Sequence, residues 1–248
     1  MTAPARTHAQ DSYAARSHVR AAAARSSGHF AAEIVPVVLP DGAKVSEDDG
    51  IRETTSEAGL AALPPAFADG GTTTAGNSSQ MTDGAAAVAA ARRSFAASRG
   101  LPVLGVMRSF AVVGVPPDEM GVGPAFAIPA ALAKAGLGLD DVDVFEINEA
   151  FASQVLHCVR ALGLGNELNG DRINPCGGAI ALGHPLGATG ARQVATVLHY
   201  LRRTGKRIGV VSMCIGTGMG AAAVFENETG QWRRGVGPTT IAATQARL

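Results

Sequence analysis

Three polar residues have side chains that suit acid–base chemistry, and two of them stand where buried strands are expected to end. Asn148 directly follows the apolar run at residues 142–147, and Cys214 directly follows a second apolar run. Open α/β sheets place their functional sites at the carboxyl ends of strands. His184 lies before a predicted helix, whose positive dipole end favours a neutral imidazole and nearby anions. A neutral imidazole of this kind could prepare an anionic nucleophile.

The chain is organised around residues 174–203, NPCGGAIALGHPLGATGARQVATVLHYLRR. The first half is a Gly-rich loop, and the second half has the period of an amphipathic helix with Ala191, Val194, Leu198 and Leu201 on one face. Pro185 suits a first helical turn, where its missing N–H would be unpaired anyway. Taken alone, a His at such a junction is more often structural than catalytic.

Four segments together resemble the thiolase family, and within it the peroxisomal 3-ketoacyl-CoA thiolases. They are NEAFA at residues 148–152, GGAIALGHPLGATGAR at 177–192, CIGTGMGAA at 214–222 and TAGNSSQMTDGAAA at 74–87. The resemblance covers about residues 9–226. It implies an α/β protein with a thiolase-type layered α/β/α fold.

The resemblance also implies a reaction, the thiolytic cleavage of 3-ketoacyl-CoA to acetyl-CoA and a shortened acyl-CoA in fatty acid β-oxidation. His184 would take the proton of a nucleophilic thiol, and Cys214 would serve as acid and base for the second substrate. Asn148 would hold a water that joins His184 in one oxyanion hole, and the backbone N–H of Gly216 would belong to the other. CoA is then a substrate, no cofactor is needed, and the partners are acyl-CoA, CoA and a second copy in a homodimer.

Six further residues match substrate contacts of the family. Four match CoA contacts and two match the acyl pocket: Arg52, Phe67, Ala75 and Ser79, then Met120 and Phe151. Without the resemblance, ordinary interpretations are favoured, because Arg52 could be a solvated charge, Phe67 a small satellite core and Ser79 a helix cap.

The nucleophilic cysteine of the family, which lies in a CxS-type motif, has no counterpart in this sequence. The three cysteines are Cys158, predicted to be buried in a helix, Cys176, predicted to be incidental, and Cys214. We therefore expect a chain with remnants of the CoA-covering loop region (1–80) and of the N-terminal domain (81–101), a whole C-terminal domain (102–226) and a tail (227–248). Such a chain is expected to be inactive alone.

Two other interpretations stay open. The chain could be a catalytically dead thiolase half that binds CoA or dimerises. It could also be a condensing enzyme of the wider superfamily, such as a ketoacyl synthase, although Cys214 stands where those enzymes usually place a His.

Composition excludes several classes of protein. The 248 residues are 46% hydrophobic and 17% charged with a net charge of +0, which argues against a nucleic-acid or membrane surface. No apolar run reaches the ~18 residues of a membrane span. Three widely spaced cysteines predict neither a disulfide framework nor the paired spacings of a zinc site, so no metal is expected.

The remaining pattern predicts alternating helices and strands. We expect a helix within residues 9–30 that ends at residues 26–28, and further helices at 94–99, 124–135 and 150–162. We expect strands at 33–39, 103–113, 142–147, 208–213 and 221–225, and mostly loop at 40–80. Residues 82–91 are predicted to pass from a helix start into a strand. GTGMG at residues 216–220 is not a dinucleotide fingerprint, because a closing antiparallel strand rather than a helix should follow it.

The last three residues, Ala246, Arg247 and Leu248, follow the small–basic–leucine pattern of a peroxisomal import signal. With the family resemblance, this predicts a peroxisomal location, with the cytoplasm as the alternative.

Overall fold

The computed structural model describes residues 5–228. Its helices are α1 (Ala5–Ser26), α2 (Glu57–Ala61), α3 (Arg93–Ser98), α4 (Gly123–Ala135), α5 (Ala152–Ala161), α6 (Ala179–Leu182) and α7 (Thr189–Thr204). Its strands are β1 (Val37–Val38), β2 (Lys44–Val45), β3 (Val106–Gly114), β4 (Val144–Ile147), β5 (Ile208–Ile215) and β6 (Met219–Glu226). The predicted tail lies outside the described residues, apart from Asn227 and Glu228.

Four strands form the sheet that carries the candidate site, in the order β3-β6-β5-β4. β4 and β5 are parallel, whereas β6 is antiparallel to both β5 and β3. A tight turn joins β5 to β6, and in it Thr217 and Gly218 have φ angles of 72° and 97°. The prediction of a closing antiparallel strand after GTGMG is confirmed.

The two faces of this sheet are covered by helices, and each face has its own core. Alternate strand residues such as Phe145, Val210 and Val224 pack with α4 and α5. Their neighbours in sequence, such as Val211 and Phe225, pack with α7 on the other face. Because successive side chains of a strand point to opposite faces, one sheet serves both cores. The architecture is a layered α/β/α arrangement, as predicted.

The long helix α1 packs against α5, α6 and the short 3₁₀ turn Ala75–Asn77. It buries polar groups as well as apolar ones. Asp11 accepts a 2.9 Å hydrogen bond from Asn77 Nδ2, and Arg20 donates to the carbonyl oxygens of Gly170 and Ile173, each at 2.6 Å. The first bond holds α1 against the turn Ala75–Asn77, and the two Arg20 bonds hold it against the loop that precedes α6.

Most predicted elements appear with boundaries shifted by a few residues. α1 ends where predicted, before Gly28, whose φ of 68° favours glycine. The strand predicted at residues 33–39 shrinks to Val37–Val38, because Pro36 lacks a backbone donor and only β2 pairs with the segment. The mostly loop region 40–80 contains the short helix α2.

Two predictions are wrong. Residues 82–91 form neither helix nor strand and are exposed apart from one position, since no strand within residues 5–228 pairs with them. Pro185 does not enter the first turn of α7, which begins at Thr189. On α7 the amphipathic face is also broader than predicted, since Gln193 is fully buried and its Nε2 donates to the carbonyl oxygen of Glu146 at 3.0 Å.

Candidate active site

Asn148 and Cys214 lie near the same edge of the sheet. The parallel register pairs Ile147 with Ser212, and Asn148 N donates to Ser212 O at 2.9 Å just beyond the end of β4. Cys214 follows two residues later on β5 and pairs with Gly220 of β6. Parallel strands bring their carboxyl ends to one edge, so the sequence-based placement of both residues at strand ends is confirmed.

His184 is presented by the loop between α6 and α7. Gly183 before it has a φ of 89°, and a Cβ there would lie 2.3 Å from Thr82 Oγ1. Only glycine combines that backbone conformation with so close a neighbour. His184 N donates to Gln80 O at 3.2 Å, which fixes the loop against residues 80–82.

The structure brings His184 and Asn148 into contact. Asn148 Nδ2 lies 3.2 Å from His184 Nε2, while the other ring nitrogen, Nδ1, lies 2.7 Å from Thr189 Oγ1. Asn148 is only 1% exposed, and its Oδ1 is buried without a hydrogen-bond partner. A buried, unpaired amide oxygen is costly unless something donates to it, so this atom could accept a hydrogen bond from a water or a substrate.

The two titratable groups of the site have pKa values shifted in opposite directions. Burial, followed by the positive charge of Arg192, lowers the pKa of His184, which favours the neutral imidazole. Sequence reasoning ascribed a neutral His184 to the helix dipole, and Arg192 was missed. Burial raises the pKa of the Cys214 thiol, which therefore keeps its proton at neutral pH and could donate it.

The other two cysteines are buried and lack the features of reactive thiols. Burial raises the pKa of Cys158 to about 11 and that of Cys176 to about 12. A thiolate is the nucleophilic form, so these thiols are inert at neutral pH. The prediction of Cys158 as buried packing inside a helix is confirmed.

Gly216 lies in the exposed turn between β5 and β6, and a Cβ on it would meet no atom within 4 Å. The first residue of α4 packs against this hairpin, since a Cβ on Gly123 would lie 2.6 Å from Met219 O. Met120 is half-buried in the 3₁₀ turn Pro117–Val122, which leads into α4. The open space beside Gly216 leaves room for a substrate atom.

Three of the predicted substrate contacts come together beside Asn148. Ser79 N donates to Ala150 O at 2.9 Å, and Ser78 forms a β-bridge with Phe151. The Phe67 and Phe151 rings lie 5.7 Å apart at 82°, an edge-to-face pair, although Phe67 is 73% exposed. Phe67, Ser79 and Phe151 thus form a small aromatic and polar wall.

The remaining two predicted CoA contacts, Arg52 and Ala75, lie further along the surface. Arg52 is exposed and lines a shallow hollow with Gln80 and Thr82. Because Gln80 O accepts the His184 N–H, that hollow adjoins the His184 loop. Ala75 is exposed in the 3₁₀ turn Ala75–Asn77.

Sequence reasoning missed Glu149, although it stands inside the NEAFA segment. Its carboxylate, 1% exposed, accepts four hydrogen bonds that join α1 to the Gly-rich loop: from Tyr13 Oη (2.8 Å), Ser17 Oγ (2.6 Å), Asn174 Nδ2 (2.8 Å) and Ile180 N (3.2 Å). Thr189 was also missed, and its signal is a hydroxyl five residues after His184 at the start of the helix.

Within residues 5–228 the structure shows no group of three or more metal-ligating side chains placed to hold an ion. Over the same residues, no helix is both long and apolar enough to cross a membrane.

Comparison with known proteins places these features in a family. The family model described as thiolase, C-terminal domain, matches residues 101–227, and that described as thiolase, N-terminal domain, matches residues 3–94. The chain belongs to the thiolase family. The resemblance stated from the four sequence segments and the thiolase-type fold class are thereby confirmed, whereas the domain boundaries at residues 80 and 101 stay a prediction.

Several thiolases are close relatives. The peroxisomal 3-ketoacyl-CoA thiolase B of Rattus norvegicus is 65% identical over 226 residues, which are 88% of this chain and 52% of the rat protein. The peroxisomal 3-ketoacyl-CoA thiolase of Homo sapiens is 62% identical over 88% of this chain and 52% of the human protein. The chain therefore spans about half the length of the curated relatives that it matches.

Solved thiolase structures share the fold. The dimeric peroxisomal thiolase of Saccharomyces cerevisiae is 51% identical with a TM-score of 0.81, over 90% of this chain and 55% of that one. A human mitochondrial 3-ketoacyl-CoA thiolase in complex with CoA is 38% identical with a TM-score of 0.82, over 89% of this chain and 55% of that one.

Proposed function

We propose that this chain is a thiolase-type acyltransferase chain that takes part in the cleavage of 3-ketoacyl-CoA to acetyl-CoA and a shortened acyl-CoA, a step of fatty acid β-oxidation. The observation that carries the proposal is the contact between Asn148 and His184, with the Asn148 Oδ1 left unpaired in a buried position. The close identity to peroxisomal 3-ketoacyl-CoA thiolases supports the substrate class.

Each group has a defined part in the proposed reaction. Neutral His184 would take the proton of a nucleophilic thiol that this chain's own cysteines do not supply, which leaves an imidazolium able to stabilise a thioester oxygen. That thiolate would attack the 3-keto carbonyl and take the acyl group as the bond between C2 and C3 breaks, and the acetyl-CoA carbanion would leave. Asn148 holds a water beside it through its unpaired oxygen. Cys214 protonates the departing acetyl-CoA carbanion, and the same thiolate removes a proton from acetyl-CoA in the reverse direction. The Gly216 N–H completes the second oxyanion hole.

The proposed substrate contacts include the wall of Phe67, Ser79 and Phe151 beside Asn148. Phe151 and Met120 line the acyl chain, while Arg52, Phe67, Ala75 and Ser79 contact CoA. The positive charge of Arg52 suits a phosphate of CoA. The proposed assembly is a homodimer, and support comes from the yeast relative, which is described as dimeric.

A second candidate function rests on the cysteines. Cys158 and Cys176 have raised pKa values and lie buried, so neither suits the role of an acylated nucleophile. A chain without such a nucleophile would bind CoA or a second thiolase subunit without turnover.

Cleavage of acetoacetyl-CoA in the presence of CoA tests both candidates, measured on the purified 248-residue chain and on the same residues transplanted into a complete thiolase frame that supplies the nucleophilic thiol. Turnover that His184→Ala and Cys214→Ala each lower by a factor of about 100 to 10,000 supports the acyltransferase. CoA binding without turnover, and without an acetyl adduct in intact-mass spectra, supports the second candidate. Absence of turnover in both settings contradicts the acyltransferase, and absence of binding to both CoA and a second thiolase subunit contradicts the second candidate.

The proposed location is the peroxisome. Support comes from relatives that carry this location in their names. A fluorescent protein fused to the N-terminus should enter peroxisomes, and the same fusion without residues 246–248 should not. Diffuse fluorescence from both fusions would contradict an address at that end of the chain.

A further inference from the structure

The hydroxyl of Thr189 sits between a ring nitrogen and a carbonyl oxygen. Thr189 is 0% exposed at the first residue of α7, and its Oγ1 lies 2.7 Å from His184 Nδ1 and 3.0 Å from Pro185 O. A hydroxyl has one proton to donate, and a carbonyl oxygen can only accept. If the proton points to Pro185 O, as threonines at helix starts commonly direct it to the carbonyl four residues back, Thr189 must accept from His184 Nδ1–H.

The second ring nitrogen agrees with this direction. Asn148 Nδ2, a donor, lies 3.2 Å from His184 Nε2. A proton on Nε2 would set two donors against each other, and relief would require the Asn148 amide to turn over. A lone pair on Nε2 accepts the amide hydrogen without any such change, and leaves Asn148 Oδ1 free for another donor.

We propose that Thr189 is a positioning residue that holds neutral His184 in the tautomer with the proton on Nδ1 and the lone pair on Nε2. The inference rests on the proposed function only for its chemical consequence, because a base that takes a thiol proton needs its lone pair on the nitrogen that faces the site. After that transfer both ring nitrogens carry protons. Thr189 still accepts from Nδ1, so the Nδ1 side of the protonated ring needs no rearrangement, whereas on the Nε2 side the Asn148 amide must move or turn over.

The test reads the tautomer directly on the 248-residue chain. Long-range ¹H–¹⁵N correlation spectra separate protonated from unprotonated ring nitrogens, and the signals absent from His184→Gln assign His184 among the six histidines. Above the pKa of His184, we expect protonated Nδ1 and unprotonated Nε2. Thr189→Ser should keep this pattern, while Thr189→Val should shift the tautomer ratio towards Nε2–H by about fivefold, the fold-change equivalent to one hydrogen bond of about 1 kcal/mol.

The matched control lies at the other end of the same helix. Thr204 Oγ1 donates to Tyr200 O at 2.8 Å, the same bond to the carbonyl four residues back, but without a His184 contact of its own. Thr204→Val should leave the His184 tautomer unchanged.

Two outcomes would overturn the proposal. One is a wild-type spectrum with the proton on Nε2, which decides the matter even if Thr189→Val fails to fold. The other is a folded Thr189→Val chain with an unchanged tautomer. Neither outcome bears on whether the chain cleaves 3-ketoacyl-CoA, which the acetoacetyl-CoA assay measures separately.

Discussion

Two buried carboxylates flank the end of β4, and they are held very differently. Glu149 and Glu146 are each 1% exposed. Glu149 accepts four hydrogen bonds, two of them from α1. Glu146, beneath α7, has one oxygen 3.4 Å from Arg192 Nη1 and the other oxygen without a hydrogen-bond partner.

The difference shows that hydrogen-bond partners, rather than burial alone, decide whether a buried carboxylate joins two elements or binds a proton. The Glu149 carboxylate is a cross-link, because it joins α1 to the loop that leads to His184. The single charged partner of Glu146 does not offset its burial, which raises the pKa of Glu146 to about 8. The Glu149 carboxylate on the α1 side of the site is thus fully hydrogen-bonded, whereas the α7 side holds a proton-binding group.

The largest loss of stability is expected from Glu149→Gln, which disrupts the hydrogen bonds between α1 and the Glu149 carboxylate. The amide turns one acceptor oxygen into a donor that faces two donors, whichever oxygen is replaced. We expect a loss of about 2–4 kcal/mol in the free energy of unfolding, because buried groups are left unpaired. Urea unfolding at pH 7 measures it, and a loss below about 1 kcal/mol would show that the network adapts to the amide.

A somewhat smaller effect is expected from Gly178→Ala. A Cβ at Gly178 would lie 2.3 Å from Glu149 Cδ, so the carboxylate would have to move away from its partners. We expect a loss of about 1–3 kcal/mol, the usual cost of overpacking. The matched control is Gly187→Ala in the same Gly-rich segment, where a Cβ would meet nothing within 4 Å. Equal losses in the free energy of unfolding from the two substitutions would contradict the proposal that Gly178 leaves space for the Glu149 carboxylate.

The contrast between the two carboxylates also marks the limit of sequence reasoning. β4, β5, β6 and the carboxyl-end placement of Asn148 could be predicted, because strand patterns and the edge rule for α/β sheets are local and general. The Glu149 network could not, since Tyr13 and Ser17 lie more than 130 positions away in the chain. Pattern alone does not tell which distant helix supplies a donor.

The prediction of a helix start and a strand at residues 82–91 was wrong for a related reason. An alanine-rich run has no strand or helix period that decides its structure. Whether it becomes a strand depends on a neighbouring strand with free backbone groups, and the sheet described here places none beside it. Thr189 was missed for a third reason, since a hydroxyl near a helix start is common and only the position of the His184 ring makes it informative.

The smallest effect is expected from Glu146→Gln, and its dependence on pH is the informative part. The pKa of Glu146 is about 8 in the folded chain against an ordinary value of 4.5, so the folded state holds the proton more tightly than the unfolded state. Its contribution to stability is therefore fully present below about pH 4.5 and is lost as the pH rises through about 8. Glutamine does not titrate, so this loss is absent from the variant.

Wild type and Glu146→Gln should accordingly be about equally stable near pH 4.5, and the variant should gain on the wild type as the pH rises. We expect an advantage of roughly 1 kcal/mol at pH 8, below the full linkage value of the pKa shift, because relaxation and water penetration reduce the cost of a buried charge. Glu33, whose pKa is raised to about 7 by burial, titrates in the same window, and its charge raises the pKa of Glu146. The difference between the urea unfolding curves therefore reports Glu146 together with its coupling to Glu33. A variant less stable than the wild type at pH 8 would mean that the Arg192 ion pair outweighs burial, and that the two sides of the site are more alike than their hydrogen bonds indicate.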